Sequence, residues 1–243
     1  MLEGKRVTKR FGGLVALDNV DFHVEENEIV GLLGPNGSGK TTLFNCITGV
    51  YKPESGNIIF KGEDISRLSS YEVARKGISR TFQLIKIFPQ MSVLNNMLIA
   101  QSSRIGLFDF WKEYTDEEIE KANKILASLD LLDFKNFSVS SLSAGEQKIL
   151  EFSMALASDP EIMLLDEITS GISYLTIEKI RNQIVASRDE GKTFFMIEHN
   201  IRFILGSGIC DRVYVLDHGN KIAEGTPKEI QTNEKVIDAY FGK

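Results

Sequence analysis

With 243 residues, 42% hydrophobic and 26% charged, the chain can build one large domain or a core with a lobe inserted into it. A net charge of −6 with no basic run argues against a nucleic-acid groove as the main surface. Residues 1–5 hold no signal-peptide core, and no apolar run approaches the roughly 20 residues of a membrane span. A cytosolic protein is therefore expected, reaching a membrane only through a partner. Cys46 and Cys210 lie far apart and match no metal or redox spacing, which makes them reduced, packed thiols.

In chain order, residues 20–24 and 28–33 read as strands. Residues 29–33 are nearly all apolar, as in a parallel strand covered on both faces. They run into Gly34-Pro35-Asn36-Gly37-Ser38-Gly39-Lys40-Thr41-Thr42 and then a helical-looking segment, residues 43–48. Strand, glycine loop and helix in that order make a phosphate-binding P-loop. Gly34, Gly37 and Gly39 let the backbone wrap a triphosphate, with Asn36, Ser38 and Thr42 completing the cradle. Lys40 reaches the β- and γ-phosphates, and the Thr41 hydroxyl sits on Mg²⁺. A plain glycine-rich turn is the alternative, disfavoured because strand, spacing, Lys and Thr are all in register. The chain is expected to bind a nucleoside triphosphate.

Residues 57–61 read as a further short strand, so the early strands suggest an antiparallel layer. Between Ser92 and Ser158 the pattern turns helical. Thr115-Asp116-Glu117-Glu118 is a capping box, after which Ile119, Ala122, Leu126 and Leu129 share one helical face. Leu142-Ser143-Ala144-Gly145-Glu146 opens a helix through Ala157, with Ile149, Phe152, Ser153 and Leu156 as its buried face. Ser143 and Glu146 cap it, and a first turn with a small residue and a glycine is also an anion site; both readings hold together. Residues 162–166, 193–198 and 213–217 are expected strands, the last in a hairpin with residues 221–223 across a Gly219-Asn220 turn. Residues 234–241 read as a short closing helix. The sum is a single domain over residues 1–243. Its nucleotide-binding α/β core takes residues 1–91 and 158–243, and a helical subdomain takes residues 92–157.

The run Ile162-Met163-Leu164-Leu165-Asp166-Glu167 brings two acids to the carboxyl end of a buried strand, where ligands bind in open α/β sheets. Asp166 is placed to hold the Mg²⁺ shell through water, and Glu167 to polarise the attacking water as general base. Two solvated acids at a strand end are the plainer alternative, which the preceding P-loop disfavours. His199 ends a strand of the same sheet and is expected to meet the γ-phosphate and the water. His23 and His218 read as structural.

A P-loop, then Leu142-Ser143-Ala144-Gly145-Glu146, then an apolar run ending in Asp166-Glu167, then a strand-end His199 resembles the ATP-binding subunits of ABC transporters. The resemblance implies a P-loop NTPase fold of the RecA-like class, with a small antiparallel β layer and an inserted helical subdomain. It also implies ATP and Mg²⁺ as ligands and ATP hydrolysis coupled to transport. Phe11 matches the aromatic that stacks on adenine, and Gln83 matches the glutamine that touches Mg²⁺ and joins core to helical lobe; by themselves they read as a core aromatic and an ordinary polar residue. Ser143, Ala144 and Gly145 stand in the signature that meets ATP bound to a second subunit, where Ala144 and Glu146 are variants of the usual glycine and glutamine. Implied partners are that second ATPase, identical or a paralogue, transmembrane permease subunits, and indirectly a substrate-binding protein, at the inner face of the cell membrane.

Residues 79–83, 87–96, 196–200, 223–227 and 239–242 are most similar to the ATPases of branched-chain amino-acid importers; lipopolysaccharide exporters are close enough to stay open. Residues 83–96 are the expected docking surface for the permease, with Phe88, Met91 and Val93 as part of it, or else ordinary core. Two further departures follow the acids: Ile168 replaces a usual proline, and Ser173 replaces an aspartate that helps couple the two sites. The rival classes are a non-transport ATPase of this fold acting on DNA or ribosomes, which usually has two such domains or a coiled-coil insertion, and a small-molecule kinase, which needs an acceptor site.

Overall fold

A computed structural model describes residues 1–81, 87–101 and 114–241, so Gln83 lies outside the described residues. Strands β1 (Leu2–Phe11) and β2 (Leu14–Val24) form an antiparallel hairpin. β3 (Ile29–Leu33) leads to α1 (Lys40–Ile47), then β4 (Ser55–Phe60), β5 (Glu63–Asp64), α2 (Ser70–Arg75) and β6 (Ile78–Arg80). Helices α3 (Val93–Gln101), α4 (Asp116–Ser128) and α5 (Ala144–Ala157) follow. The return is β7 (Ile162–Asp166), α6 (Tyr174–Asp189), β8 (Thr193–Ile197), β9 (Arg212–Asp217), β10 (Asn220–Gly225), α7 (Pro227–Gln231) and α8 (Glu234–Phe241).

An antiparallel sheet has the order β2-β1-β4-β5; the larger sheet runs β10-β9-β3-β8-β7-β6. In the larger sheet β9, β3, β8, β7 and β6 are parallel, and β10 returns antiparallel on β9. Its central strands are apolar except for Asp166 and Thr193 at their ends, because alternate residues face two separate cores. Val30, Leu32, Ile162, Leu164, Phe195 and Ile197 pack with α1 and the antiparallel sheet. Ile29, Leu33, Met163, Leu165, Phe194 and Met196 pack with the helical residues Met97, Leu126, Phe152 and Ile180. Burying each such side chain contributes roughly 1.5–3 kcal/mol.

The helix signals were strong because they are local. Thr115 and Glu118 close a reciprocal capping box on α4, as Ser143 and Glu146 do on α5. Leu129 caps α4 rather than lying within it and is still fully buried.

Three readings need correction. β1 and β6 were not foreseen, because Lys5, Arg6, Lys9 and Arg10 break the alternation in one and the other is three residues long. The hairpin turn is His218-Gly219, not Gly219-Asn220: Asp217 pairs with Asn220, and both turn residues have positive φ, 45° and 78°. Val93 is fully buried and belongs to the core, whereas Phe88 is exposed. Both cysteines are free and buried, and burial pushes the Cys46 thiol up to about 11. No helix among the described residues is long and apolar enough to cross a membrane.

Candidate active site

The chain leaves β3 through Gly34, where a Cβ would lie 2.2 Å from the Leu216 carbonyl oxygen; no other residue fits that approach. Gly37 and Gly39 take left-handed conformations, φ 81° and 105°. A Cβ at Gly37 would meet nothing, so this is the open face of the loop. Gly39 is the N-cap of α1, which has no side-chain cap and no acid in its first turn. Its first N–H groups and the positive end of its dipole are left for an anion. Lys40 is buried within the loop, its Nζ donating to the carbonyls of Gly34 (2.7 Å) and Pro35 (2.9 Å). Burial lowers its pKa, and the charges of Glu167 and Asp166 work against that.

Asp166 ends β7, wholly buried. Arg80 Nη2 donates to its Oδ2 at 2.5 Å, whereas Oδ1 has no hydrogen-bond partner. Arg80 also donates to Asn45 Oδ1 of α1 at 2.7 Å, and its guanidinium lies 5.6 Å from the Phe44 ring centre. Glu167 turns away from its neighbour because its own φ is 52°, a left-handed conformation rare for a side chain of this size. Its Oε1 lies 2.8 Å from His199 Nε2. Lys148 of α5 holds the following turn by donating to the carbonyls of Glu167 (3.0 Å) and Ser170 (2.6 Å). Glu198 points inward and accepts from the Thr169 N–H (2.9 Å) and hydroxyl (2.6 Å). Burial raises its carboxyl pKa, against the pull of those two bonds.

A cleft of ≈ 380 Å³ gathers Phe11, Asn36, Gly37, Ser38, Gly39, Lys40, Thr41, Thr42, Glu167 and His199. Phe11 is no core residue: it is 42% exposed at the end of β1, set edge-on to Tyr51 with ring centres 5.1 Å apart. His218, read from sequence as structural, also lines this cleft; His23 does not and bonds with Arg212 and Tyr214 instead. Asp166, being buried, is not among the residues lining the cleft. Ser143 and Ala144 are exposed on the surface and, with Gly145, are not among the residues lining the cleft. The Glu146 carboxylate accepts from the Ser143 N–H at 2.7 Å, so its charge is spent on the cap.

Residues 17–170 match the family described as ABC transporter, and residues 220–243 match the one described as branched-chain amino acid ATP-binding cassette transporter. The chain belongs to the ABC transporter family. It is 38% identical to the high-affinity branched-chain amino acid transport ATP-binding protein LivG of Salmonella typhimurium, over 96% of this chain and 94% of that one. It is 34% identical to the lipopolysaccharide export system ATP-binding protein LptB of Escherichia coli, over 100% and 97%. An ATP-binding cassette of an ABC transporter solved in its ADP conformation superposes with a TM-score of 0.88, is 33% identical, and is covered to 99% by all of this chain. The chain is thus an ATP-hydrolysing ABC subunit with a P-loop NTPase fold.

The residues present fit a magnesium nucleotide. Among the described residues no cluster of three or more His, Cys, Asp or Glu side chains could hold a metal alone. Mg²⁺ in such sites takes one or two carboxylates and completes its shell with phosphate and water. The Asp166 Oδ1, buried without a hydrogen-bond partner, is a carboxylate oxygen of that kind. Arg80, Lys148 and Glu198 are the supporting residues that the sequence reading missed; each acts through a contact between segments far apart in the chain.

Proposed function

We propose that two such subunits, identical or paralogous, close head to tail on two ATP molecules and drive import of branched-chain or other hydrophobic amino acids through membrane permease subunits. The observation that carries this is a split site. The P-loop, Glu167 and His199 share one cleft, and the capped N-terminus of α5 at Ser143 is exposed and does not line it. A second copy can bring that N-terminus to the phosphates, so nucleotide binding itself supplies the free energy of closure. The cargo reading rests on the likeness to LivG and on the match of residues 220–243. The likeness to LptB supports a second reading, lipid export.

In this reading Phe11 stacks on the adenine, and Asn36, Gly37, Ser38, Gly39 and Thr42 cradle the phosphates. Lys40 exchanges its bonds to the Gly34 and Pro35 carbonyls for phosphate oxygens and neutralises their charge. Thr41, Asp166 and Gln83 hold Mg²⁺, which supplies counter-charge to the triphosphate when bound. Glu167 accepts a proton from water, oriented by His199, which faces the γ-phosphate. Once that phosphate has left, the tie to Ser143, Ala144 and Gly145 is gone and the dimer opens. Residues 92–157 act as the moving lobe at the inner membrane surface. A groove of ≈ 670 Å³ lined by Tyr71, Arg75, Thr81, Ala100 and Met154, together with the exposed Phe88, offers the permease a seat.

Glu167→Gln tests the site. ATP binding is expected to survive, turnover to fall by about 10²–10⁴-fold, and an ATP-bound dimer to accumulate on size-exclusion chromatography. Near-normal turnover would remove Glu167 from the base role. Uptake of labelled leucine into vesicles reconstituted with the cognate permease tests the cargo, and lipid extraction without leucine uptake would favour the second reading.

A further inference from the structure

The last turn of α8 reaches the first residue of the P-loop. The Tyr240 hydroxyl accepts the Gly34 N–H at 2.6 Å, joining residues 206 positions apart. Gly34 is the first residue past β3, whose register with β8 and β9 ends at Leu32 opposite Ile197 and Leu33 opposite Val215. The strand ladder therefore stops one residue before this buried N–H, and Tyr240 supplies its acceptor. On the other side of the same residue, the Gly34 carbonyl accepts from Lys40 Nζ at 2.7 Å. The C-terminal helix and the phosphate-binding lysine thus hold one residue from opposite sides, and Gly34 cannot be replaced because of the Leu216 carbonyl.

We propose that Tyr240 is a positioning residue for ATP binding, fixing through the Gly34 N–H the start of the P-loop in which Lys40 sits. It acts on affinity, because the P-loop must hold its shape before any phosphate arrives. It leaves the chemical step alone, because Glu167 and His199 are built on other strands. Burial raises the Tyr240 pKa, consistent with a hydroxyl that stays protonated beside the backbone. The proposal rests on the P-loop reading above and deepens it.

The test is Tyr240→Phe in the full chain, which keeps the ring and removes the acceptor. The dissociation constant of trinitrophenyl-ATP is expected to rise about 3–10-fold, the equivalent of one net hydrogen bond lost. The kcat at saturating ATP should stay within about twofold, a KM effect without a kcat effect. Val236→Ala is the companion variant, since Val236 is buried on the same helix with its N–H bonded to Asn233; it should lower Tm and leave nucleotide affinity unchanged. An unaltered dissociation constant in Tyr240→Phe, or a loss in both variants that tracks Tm, would overturn the proposal. Lys40→Ala separates the two ideas: if it binds nucleotide normally, the P-loop reading fails, whatever Tyr240 does.

Discussion

Arg80 is the cation on which the buried acid depends. Asp166 is removed from water, and Arg80 is its ion-pair partner, with their side chains 0% and 7% exposed. Arg80 is in turn fixed by Asn45 and Phe44, so α1, β6 and β7 are pinned at one point. Deleting one member of such a pair strands the other in low dielectric. Arg80→Met is therefore expected to cost about 3–5 kcal/mol in urea unfolding, whereas Asn45→Ala, which leaves the pair intact, should cost far less. Equal losses would mean that Arg80 matters for packing alone.

At the scale of elements, the two departures from the family pattern receive different answers. Ser173 is the N-cap of α6, its Oγ accepting the Thr176 N–H at 3.2 Å. Serine and aspartate cap helices about equally well. Ser173→Ala should therefore lose about 0.5–2 kcal/mol of stability by chemical denaturation, and Ser173→Asp almost none. A large loss with aspartate would show that the turn has no room for it. Ile168 is buried, and the turn that a proline would have stiffened is held from outside by Lys148 and Glu198. Lys148 belongs to α5, so the helix that carries Ser143 also touches the backbone of Glu167.

For the whole molecule, the decisive test is assembly. In the Glu167→Gln background, ATP should convert monomer to dimer, measured by light scattering; adding Ser143→Ala should weaken that dimer by about tenfold or more, the equivalent of one lost phosphate contact. Nucleotide binding by the monomer should persist, because Ser143 does not line its cleft. Unchanged dimerisation would remove the α5 N-terminus from the shared site.

What the sequence determined by itself is whatever depends on neighbours in the chain. The P-loop spacing, the capping boxes of α4 and α5, the buried face of α5 and the apolar β7 ending in two acids are all local patterns. Most of the residues gathered in the cleft were legible for that reason, whereas Phe11 was picked out only through resemblance. Where charges interrupt the alternation, as in β1, or where a strand is three residues long, as in β6, local pattern fails and sheet pairing decides. Tertiary structure alone placed Arg80 on Asp166, Lys148 on the turn after Glu167, and Tyr240 on Gly34. These contacts join segments 19 to 206 residues apart. No local pattern encodes them, because each exists only once two buried surfaces have met.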